Sequence, residues 1–251
     1  MPLPVARVFP SLDHFHFSEF ESIYEPAEDT FLLCDALTDR FGTSSLIESP
    51  PALVLELGSG SGAAAAHLSN LLAARGLPRP ATLCVDINVR ACAASLRTAA
   101  ANCTALHTTD AICADLLGSL LPRLAGRVDV LLFNPPYVPT DDDEVVTAST
   151  ALGSSSEGLL AAAWAGGTRG RRVIDRALPQ IASCLTHSEN GGGRGEAFLV
   201  LVDENNPDEV LVEALRFCLE GAIIKRVIAK NERLLVVRLT PTRLRQEERV
   251  A

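Results

Sequence analysis

The segment Asn134-Pro135-Pro136-Tyr137 combines residue types that suit the recognition of a planar NH2 group. The side-chain oxygen of Asn134 and the carbonyl of Pro135 can accept both N–H bonds of such a group, which holds the nitrogen and orients its lone pair. Neither proline has a backbone N–H, so the segment offers acceptors, and the fixed φ of proline keeps them aimed. Tyr137 adds a flat face. Asn134, Pro135 and Tyr137 are therefore predicted to be catalytic, although an isolated segment of this kind is usually a turn that ends a strand.

A glycine-rich segment, Glu56-Leu57-Gly58-Ser59-Gly60-Ser61-Gly62, follows a predicted strand and opens a predicted helix. Glycines at such a point let the backbone turn tightly and let a ligand approach closely. Glu56 would repel a pyrophosphate but can accept a hydrogen bond from an ammonium group, and the spacing differs from the dinucleotide pattern G-x-G-x-x-G. The segment therefore predicts a nucleoside ligand with an amino group, contacted by Glu56, Gly58 and Gly60.

Two aspartates lie in register with this segment, each at the end of a later strand. Asp86 ends the second predicted strand, where a carboxylate can accept hydrogen bonds from both hydroxyls of a ribose, each contributing ~1.5–3 kcal/mol. Asp115 follows the third strand, where its side chain can meet an adenine amino group. Alone, each aspartate is more typical of a helix cap or a turn. Together with the glycine segment they favour a nucleoside site.

Short strands must position these residues, and they alternate with Ala- and Leu-rich helical stretches. The continuously apolar run at 128–133 is typical of a strand buried on both faces, and two β-rich runs near the end form a plausible hairpin. This alternation predicts one α/β domain over residues 1–251, with a Rossmann-like, seven-stranded, mostly parallel sheet and a C-terminal antiparallel hairpin. The predicted strands cover residues 52–57, 81–86, 105–113, 128–133, 197–202, 222–229 and 234–239. A helix is predicted over roughly 168–185, followed by a Gly- and Ser-rich loop at 187–195.

Residues 1–45 form an N-terminal extension before the first strand. Pro26 suits the first turn of a helix, and Glu28 and Asp29 suit its positive end. The helix is predicted to run to about Phe41 and, because it leads into the first strand, to cap the ligand site.

Composition and charge exclude several classes of function. The 251 residues are 47% hydrophobic, enough for a full core, and no apolar run approaches the ~18 residues that span a bilayer. Seven cysteines without a C-x-x-C pair and five scattered histidines predict no disulfide framework and no metal site. His14 and His16 alternate with phenylalanines, as on one face of a strand. A net charge of −9 disfavours extended contact with nucleic acid, and without a basic leader we expect a cytoplasmic protein that can also enter the nucleus.

The glycine segment and Asn134–Tyr137 together resemble the HemK-like glutamine methyltransferases, and also the amino methyltransferases that act on adenine. Three further stretches, 24–33, 128–138 and 163–176, narrow the resemblance. They are similar to the eukaryotic and archaeal branch, which methylates the glutamine of the Gly-Gly-Gln loop in the class I translation release factor. The resemblance covers the chain from about residue 9 to residue 240.

This resemblance implies a class I methyltransferase fold, S-adenosylmethionine as the cofactor and a role in translation termination. It implies two protein partners: a small zinc-binding activator subunit, which would form a heterodimer with this chain, and the release factor as substrate, together with its GTPase partner. The predicted cofactor contacts are Thr30, Glu56, Gly58, Gly60, Asp86, Asp115, Leu116 and Asn134, of which Asn134 would also touch the acceptor.

Other hypotheses use the same residues. Adenine offers a similar NH2 group, but an adenine-N6 methyltransferase needs a basic surface and a way to extract the base. A lysine acceptor, as a secondary activity, would first need deprotonation. A scaffold that has lost transfer would not be expected to keep Asn134, Asp86 and Glu56. The acidic run 141–144 and the basic residues between 225 and 249 suit solvated faces, or docking surfaces for a protein partner.

Overall fold

The computed structural model describes residues 9–42, 49–102, 108–141, 156–187, 195–229 and 232–242. Within these ranges, no helix has both the length and the apolar content needed to cross a membrane. The acidic run is described only at Asp141, and most of the predicted loop at 187–195 lies outside the described residues.

The β-branched and leucine-rich runs form seven strands in one sheet. The strands are β1 (Leu53–Leu57), β2 (Ala81–Asp86), β3 (Thr109–Cys113), β4 (Val130–Phe133), β5 (Glu196–Val202), β6 (Leu219–Ala229) and β7 (Glu232–Pro241). Their order is β3-β2-β1-β4-β5-β7-β6. Neighbours from β3 to β5 are parallel, whereas β7 runs antiparallel to both β5 and β6. The predicted mostly parallel sheet with a C-terminal antiparallel hairpin is therefore confirmed.

Seven α-helices fall in the described ranges, and most follow a strand. They are α1 (Glu28–Phe41), α2 (Ala63–Ala74), α3 (Val89–Asn102), α4 (Leu121–Leu124), α5 (Ser156–Ala161), α6 (Arg172–Cys184) and α7 (Pro207–Arg216). Helix α6 shows why these segments are helical: its buried residues Ile174, Ala177, Leu178 and Ile181 recur at the spacing of one helix face. Proline at the first position of α7 suits a helix start, because its missing N–H would have no partner there.

The core lies along the centre of the sheet. Every residue of β4 and β5 is buried, as the continuous apolar runs predict, and the rings of Phe133 and Phe198 are among the largest fully buried side chains. Each such side chain contributes ~1.5–3 kcal/mol through burial. The packed centre of the sheet fixes where β1 and β4 end. The chain adds β2 and β3 on one side of β1, and then β4 and β5 on the other side. In open α/β sheets a ligand crevice forms at such a point, outside the carboxyl ends of the strands.

Three local predictions need correction. His14 and His16 do not lie on a strand, because a 3₁₀ turn at Phe17–Glu21 follows them and the Glu19 carboxylate accepts from the His16 N–H at 2.9 Å. The helix predicted over 168–185 is divided: a 3₁₀ turn at Thr168–Gly170 precedes α6, because Arg169 adopts φ 56. Both hairpin strands extend beyond their predicted limits, since cross-strand hydrogen bonds outweigh the weaker β propensity of their ends.

Candidate active site

The principal cavity has a volume of about 400 Å³ and lies at the carboxyl ends of β1, β2 and β4. Its size is that of a small-molecule site. The residues predicted from the sequence all line it: Thr30, Glu56, Gly58, Gly60, Asp86, Asp115, Leu116, Asn134, Pro135 and Tyr137. The fold thus gathers residues from five separate stretches of the chain around one space. Their individual roles remain predictions.

The glycine segment turns sharply between β1 and α2. Gly58 has φ 62 and Gly60 has φ 51, in the left-handed region that side chains disfavour. At Gly62 space is also limiting, since a Cβ there would lie 2.8 Å from the Cα of Ser95 on α3. The glycines therefore allow the turn at two positions and a close approach of two helices at a third.

Two carboxylates flank this turn, Glu56 buried and Asp86 half-buried. Glu56 is buried, and its Oε2 accepts from the Ala65 N–H at 3.0 Å, yet burial raises its pKa from 4.5 to about 8. Asp86 accepts from the N–H groups of Gly60 at 2.9 Å and Asn88 at 2.8 Å, and burial raises its pKa as well. Because burial penalises both charged forms, the site favours a ligand that brings a cation or hydrogen-bond donors.

The loop after β3 contributes Asp115 and Leu116. Asp115 lines the cavity, but it is half exposed and its Oδ2 pairs with Arg176 at 2.6 Å. Leu116 is buried and has φ 53, a strained conformation for a residue with a side chain. The Leu117 N–H donates to Gln180 Oε1 at 2.8 Å, so α6 holds the loop from behind. One oxygen of Asp115 is thus already engaged by a cation of the protein itself.

The predicted transfer residues lie beside α1. The Nδ2 of Asn134 donates to Asp29 Oδ2 at 3.0 Å, which turns Asn134 Oδ1 the other way. That oxygen is buried, and no group in the described ranges hydrogen-bonds to it. The Tyr137 hydroxyl also donates to Asp29 Oδ2, at 3.0 Å, so its ring is fixed along the cavity wall. A buried acceptor without a partner, in a cavity lined by prolines, suits a ligand that donates hydrogen bonds.

The backbone after Asn134 is held by the segment Ala163–Gly167. The Val138 N–H donates to the Trp164 carbonyl at 3.1 Å, and the Gly166 N–H donates to the Val138 carbonyl at 2.9 Å. A Cβ at Gly166 would lie 2.5 Å from the Pro136 carbonyl, and one at Gly170 would lie 1.8 Å from the Tyr137 carbonyl. These glycines therefore let a second segment pack directly against the transfer loop.

Sequence reasoning missed several residues that build the site. Asp29 was predicted only to stabilise a helix end, and Asn205 was not predicted at all. Asn205 is fully buried and donates through Nδ2 to the Tyr137 carbonyl at 2.8 Å. The Asn88 side chain donates to the Ser22 carbonyl at 2.7 Å and thereby ties the N-terminal segment to the cavity rim. Asp29 and Asn205 each lie near a helix start, and that local signal indicates stabilisation of a helix end rather than a part of the site.

The cavity residues fit S-adenosylmethionine. Glu56 suits its ammonium group, since a cation would relieve the penalty on this buried carboxylate, and Asp86 suits the ribose hydroxyls. The open space at Gly60, where a Cβ would meet nothing within 4 Å, leaves room for a ligand against the backbone. The described residues hold no cluster of three metal-ligating side chains.

Comparison with known proteins agrees with this geometry, although no family model matches the chain. Methyltransferase HEMK2 of Mus musculus is 39% identical over 231 residues, which cover 92% of this chain and 95% of that protein. The eRF1 methyltransferase catalytic subunit mtq2 of Schizosaccharomyces pombe is 34% identical over 78% of this chain and 79% of its own length. Among solved structures, Mtq2 in the E. cuniculi Mtq2–Trm112 complex, described as methylating the eRF1 termination factor, has a TM-score of 0.55 at 25% identity and covers 88% of this chain and 99% of its own. With these relatives over most of its length, the chain belongs to the HemK-like methyltransferases, in the branch that contains HEMK2 and Mtq2.

Proposed function

We propose that this chain transfers a methyl group from S-adenosylmethionine to the side-chain amide of the glutamine in the Gly-Gly-Gln loop of the class I translation release factor. The observation that carries the proposal is the orientation of Asn134. Its Oδ1 is a buried acceptor that no described group satisfies, in a cavity it shares with Pro135 and with the predicted cofactor residues. A primary amide supplies the two donors that this place lacks.

The residues of the chain divide the work of binding and orientation. When bound, S-adenosylmethionine supplies an electrophilic sulfonium methyl group. Glu56 would hold the ammonium group of the cofactor and Asp86 its ribose hydroxyls, and the glycine turn would let the cofactor lie close to the backbone. Asn134 and Pro135 would hold the acceptor nitrogen by its two hydrogens, which favours pyramidal geometry and reduces the conjugation of its lone pair with the carbonyl, and Tyr137 bounds the planar group.

The protonation states of the tyrosines in the site suit an acceptor that is neutral before transfer. Burial, and next the neighbouring Asp29 carboxylate, raises the pKa of Tyr24 and of Tyr137 above the usual tyrosine value, so both hydroxyls stay protonated and act as donors. An amide needs no base before transfer, since its nitrogen loses a proton readily afterwards. A lysine ammonium, in contrast, would have to be deprotonated first.

The proposal includes a heterodimer with a small zinc-binding activator subunit, and a release factor presented with its GTPase partner. A complex of the E. cuniculi relative with Trm112 supports the first part. In this chain β3 is an edge strand, and all five of its residues are exposed or half-buried. An edge strand offers free backbone groups to a strand from another chain, so we assign this edge to the activator.

The adenine hypothesis is weaker, because three basic side chains of the C-terminal hairpin are already paired with carboxylates. Lys225 pairs with Asp39, Arg233 with Asp203 and Arg238 with Glu196. Such a face neutralises itself and offers little to a phosphate backbone.

One experiment ranks these acceptors. The chain, co-expressed with its activator, is incubated with labelled S-adenosylmethionine and with release factor, release factor whose loop glutamine is replaced by alanine, single-stranded DNA or duplex DNA. We expect label only on intact release factor, at the loop glutamine when mapped by mass spectrometry, and none with an Asn134→Ala enzyme. Label on DNA at a comparable rate, or on a lysine of the release factor, would overturn the proposal.

A further inference from the structure

Asp29 stands at the centre of a hydrogen-bonded cluster that reaches the transfer site from α1. Its side chain is only 2% exposed. Its Oδ2 accepts from three donors, namely Tyr24 Oη at 2.8 Å, Tyr137 Oη at 3.0 Å and Asn134 Nδ2 at 3.0 Å. Its Oδ1 accepts from the Thr30 N–H at 2.6 Å. The carboxylate is therefore surrounded by donors and held without a cation among these contacts, which suits a structural acceptor better than a base.

The chemistry of this carboxylate decides which end of the Asn134 amide faces the cavity. A side-chain amide has a donor end and an acceptor end of almost the same shape, and it can present either by a rotation of half a turn. An ionised carboxylate only accepts, so it can bind Nδ2 and would repel Oδ1. The buried Oδ1 of Asn134, which lacks a partner among the described residues, is the expected result.

We infer that Asp29 is a positioning residue that makes Asn134 present oxygen rather than NH2 to the acceptor, and so selects acceptors that donate hydrogen bonds. The inference deepens the proposed function and rests on it for the identity of the acceptor. Glutamine can donate from its NH2 group to Asn134 Oδ1, whereas the carboxylate of a glutamate of the same shape would meet only acceptors there. Tyr24 steadies Asp29 but does not touch Asn134 in this cluster, so it offers a matched control.

The test uses the heterodimer and two forms of the release factor, with glutamine or with glutamate in the loop. The glutamate form is measured as a competitive inhibitor. For the native enzyme we expect the glutamine form to bind at least ~10-fold more tightly than the glutamate form, because the latter places like dipoles and charge against Asn134 Oδ1. Asp29→Asn has the same shape but can donate to Asn134 Oδ1, so the Asn134 amide can turn and present NH2.

In Asp29→Asn we expect this preference to shrink ~10-fold or more and turnover to fall ~10–100-fold, while affinity for S-adenosylmethionine changes less than about threefold. Tyr24→Phe should keep the native preference, since the Asp29–Asn134 contact remains. A merely structural role would weaken both forms of the release factor in parallel. An unchanged preference in Asp29→Asn, with or without a loss of turnover, would therefore overturn the inference.

A measurement without substrate separates this inference from the proposed function. In ¹⁵N NMR spectra of the native heterodimer, the Asn134 side-chain amide is assigned by its disappearance in Asn134→Ala. We expect one Nδ2 proton to show the downfield shift of a bond to a carboxylate and a through-space contact with the Tyr137 ring. Absence of both signs would refute the Asp29–Asn134 bond without needing any Asp29 variant to fold. If native enzyme leaves the release factor unlabelled while both signs are present, the proposed acceptor is wrong and the positioning contact stands.

Discussion

Replacing Asn205 by alanine should damage the transfer site from a position that touches neither substrate nor cofactor. Asn205 is fully buried on the 3₁₀ turn Asp203–Asn205, which follows β5, and its side chain binds three backbone groups. Its Nδ2 donates to the carbonyls of Tyr137 at 2.8 Å and Arg169 at 3.0 Å, and its Oδ1 accepts from the Val202 N–H at 2.9 Å. The side chain thereby joins the central sheet to the backbone of the transfer loop.

The size of the effect follows from these contacts. Each hydrogen bond contributes ~1 kcal/mol, and a buried group left without a partner costs a further ~1–3 kcal/mol. Asn205→Ala removes three bonds and leaves the buried Val202 N–H without a partner, so we expect the free energy of unfolding to fall by ~4–6 kcal/mol. A shift of the Tyr137 backbone by even a fraction of an ångström would misplace the acceptor and lower turnover by ~10–100-fold. Affinity for S-adenosylmethionine should change little, because Glu56 and Asp86 lie on other strands.

The assay compares urea unfolding of the heterodimer at one protein concentration, cofactor binding by calorimetry and turnover on the release factor. Glu204→Ala is the matched control, because this residue lies on the same 3₁₀ turn and its side chain is exposed; its unfolding free energy should stay within ~0.5 kcal/mol of the native value. If Asn205→Ala unfolds and turns over like this control, the bonds to Tyr137 and Arg169 do not hold the loop, and the reasoning fails.

Three further perturbations test other parts of the site. Asn134→Ala should lower turnover by ~10²–10³ while cofactor affinity stays near native; an equal loss of both would make Asn134 mainly a cofactor ligand. Gly170→Ala, whose Cβ would lie 1.8 Å from the Tyr137 carbonyl, should lower Tm by about 10 °C, whereas Gly126→Ala has a similar φ but open space and should lower it far less. In the ligand-free protein, folded Glu56 keeps a proton that the unfolded chain releases, so stability should fall as the pH rises from 4.5 to about 8. Urea unfolding across this range should show a smaller slope for Glu56→Gln, and an equal slope would exclude Glu56 as the cause.

Much of the fold is readable from the sequence because strand and helix signals are local. The run at 128–133 is apolar throughout, which only a strand buried on both faces or a buried helix can use, and its length favours the strand. The pattern at His14 and Phe15 misleads for the opposite reason. Alternation over four residues is a weak signal, and one hydrogen bond donated by the His16 N–H to the Glu19 carboxylate is enough to favour a turn instead.

The residues of the site likewise fall into two groups, those that local sequence patterns predict and those that they do not. Glu56, Asp86 and Asn134 could be predicted, since each lies at or directly after the carboxyl end of a strand that is visible in the sequence. Asp29 and Asn205 could not, because their roles depend on contacts across more than 60 positions of the chain. Asp29 lies where an acidic residue at a helix start needs no other explanation. Local patterns thus reveal groups that touch a ligand, whereas the groups that orient them become visible only when the chain has folded.

Three carboxylates of the cavity, Asp29, Glu56 and Asp86, differ in how far hydrogen-bond donors compensate for their burial. Asp29 is surrounded by hydroxyl and N–H donors, so it needs no ligand to be stable there. Glu56 and Asp86 receive fewer donors than their burial demands, and burial raises the pKa of each. A sequence selected for stability alone would place apolar or neutral residues at these two positions. Their presence is best explained by a ligand that brings positive charge to Glu56 and hydroxyl donors to Asp86. The free-energy cost of burying these two carboxylates in the ligand-free protein therefore indicates the chemistry of the ligand.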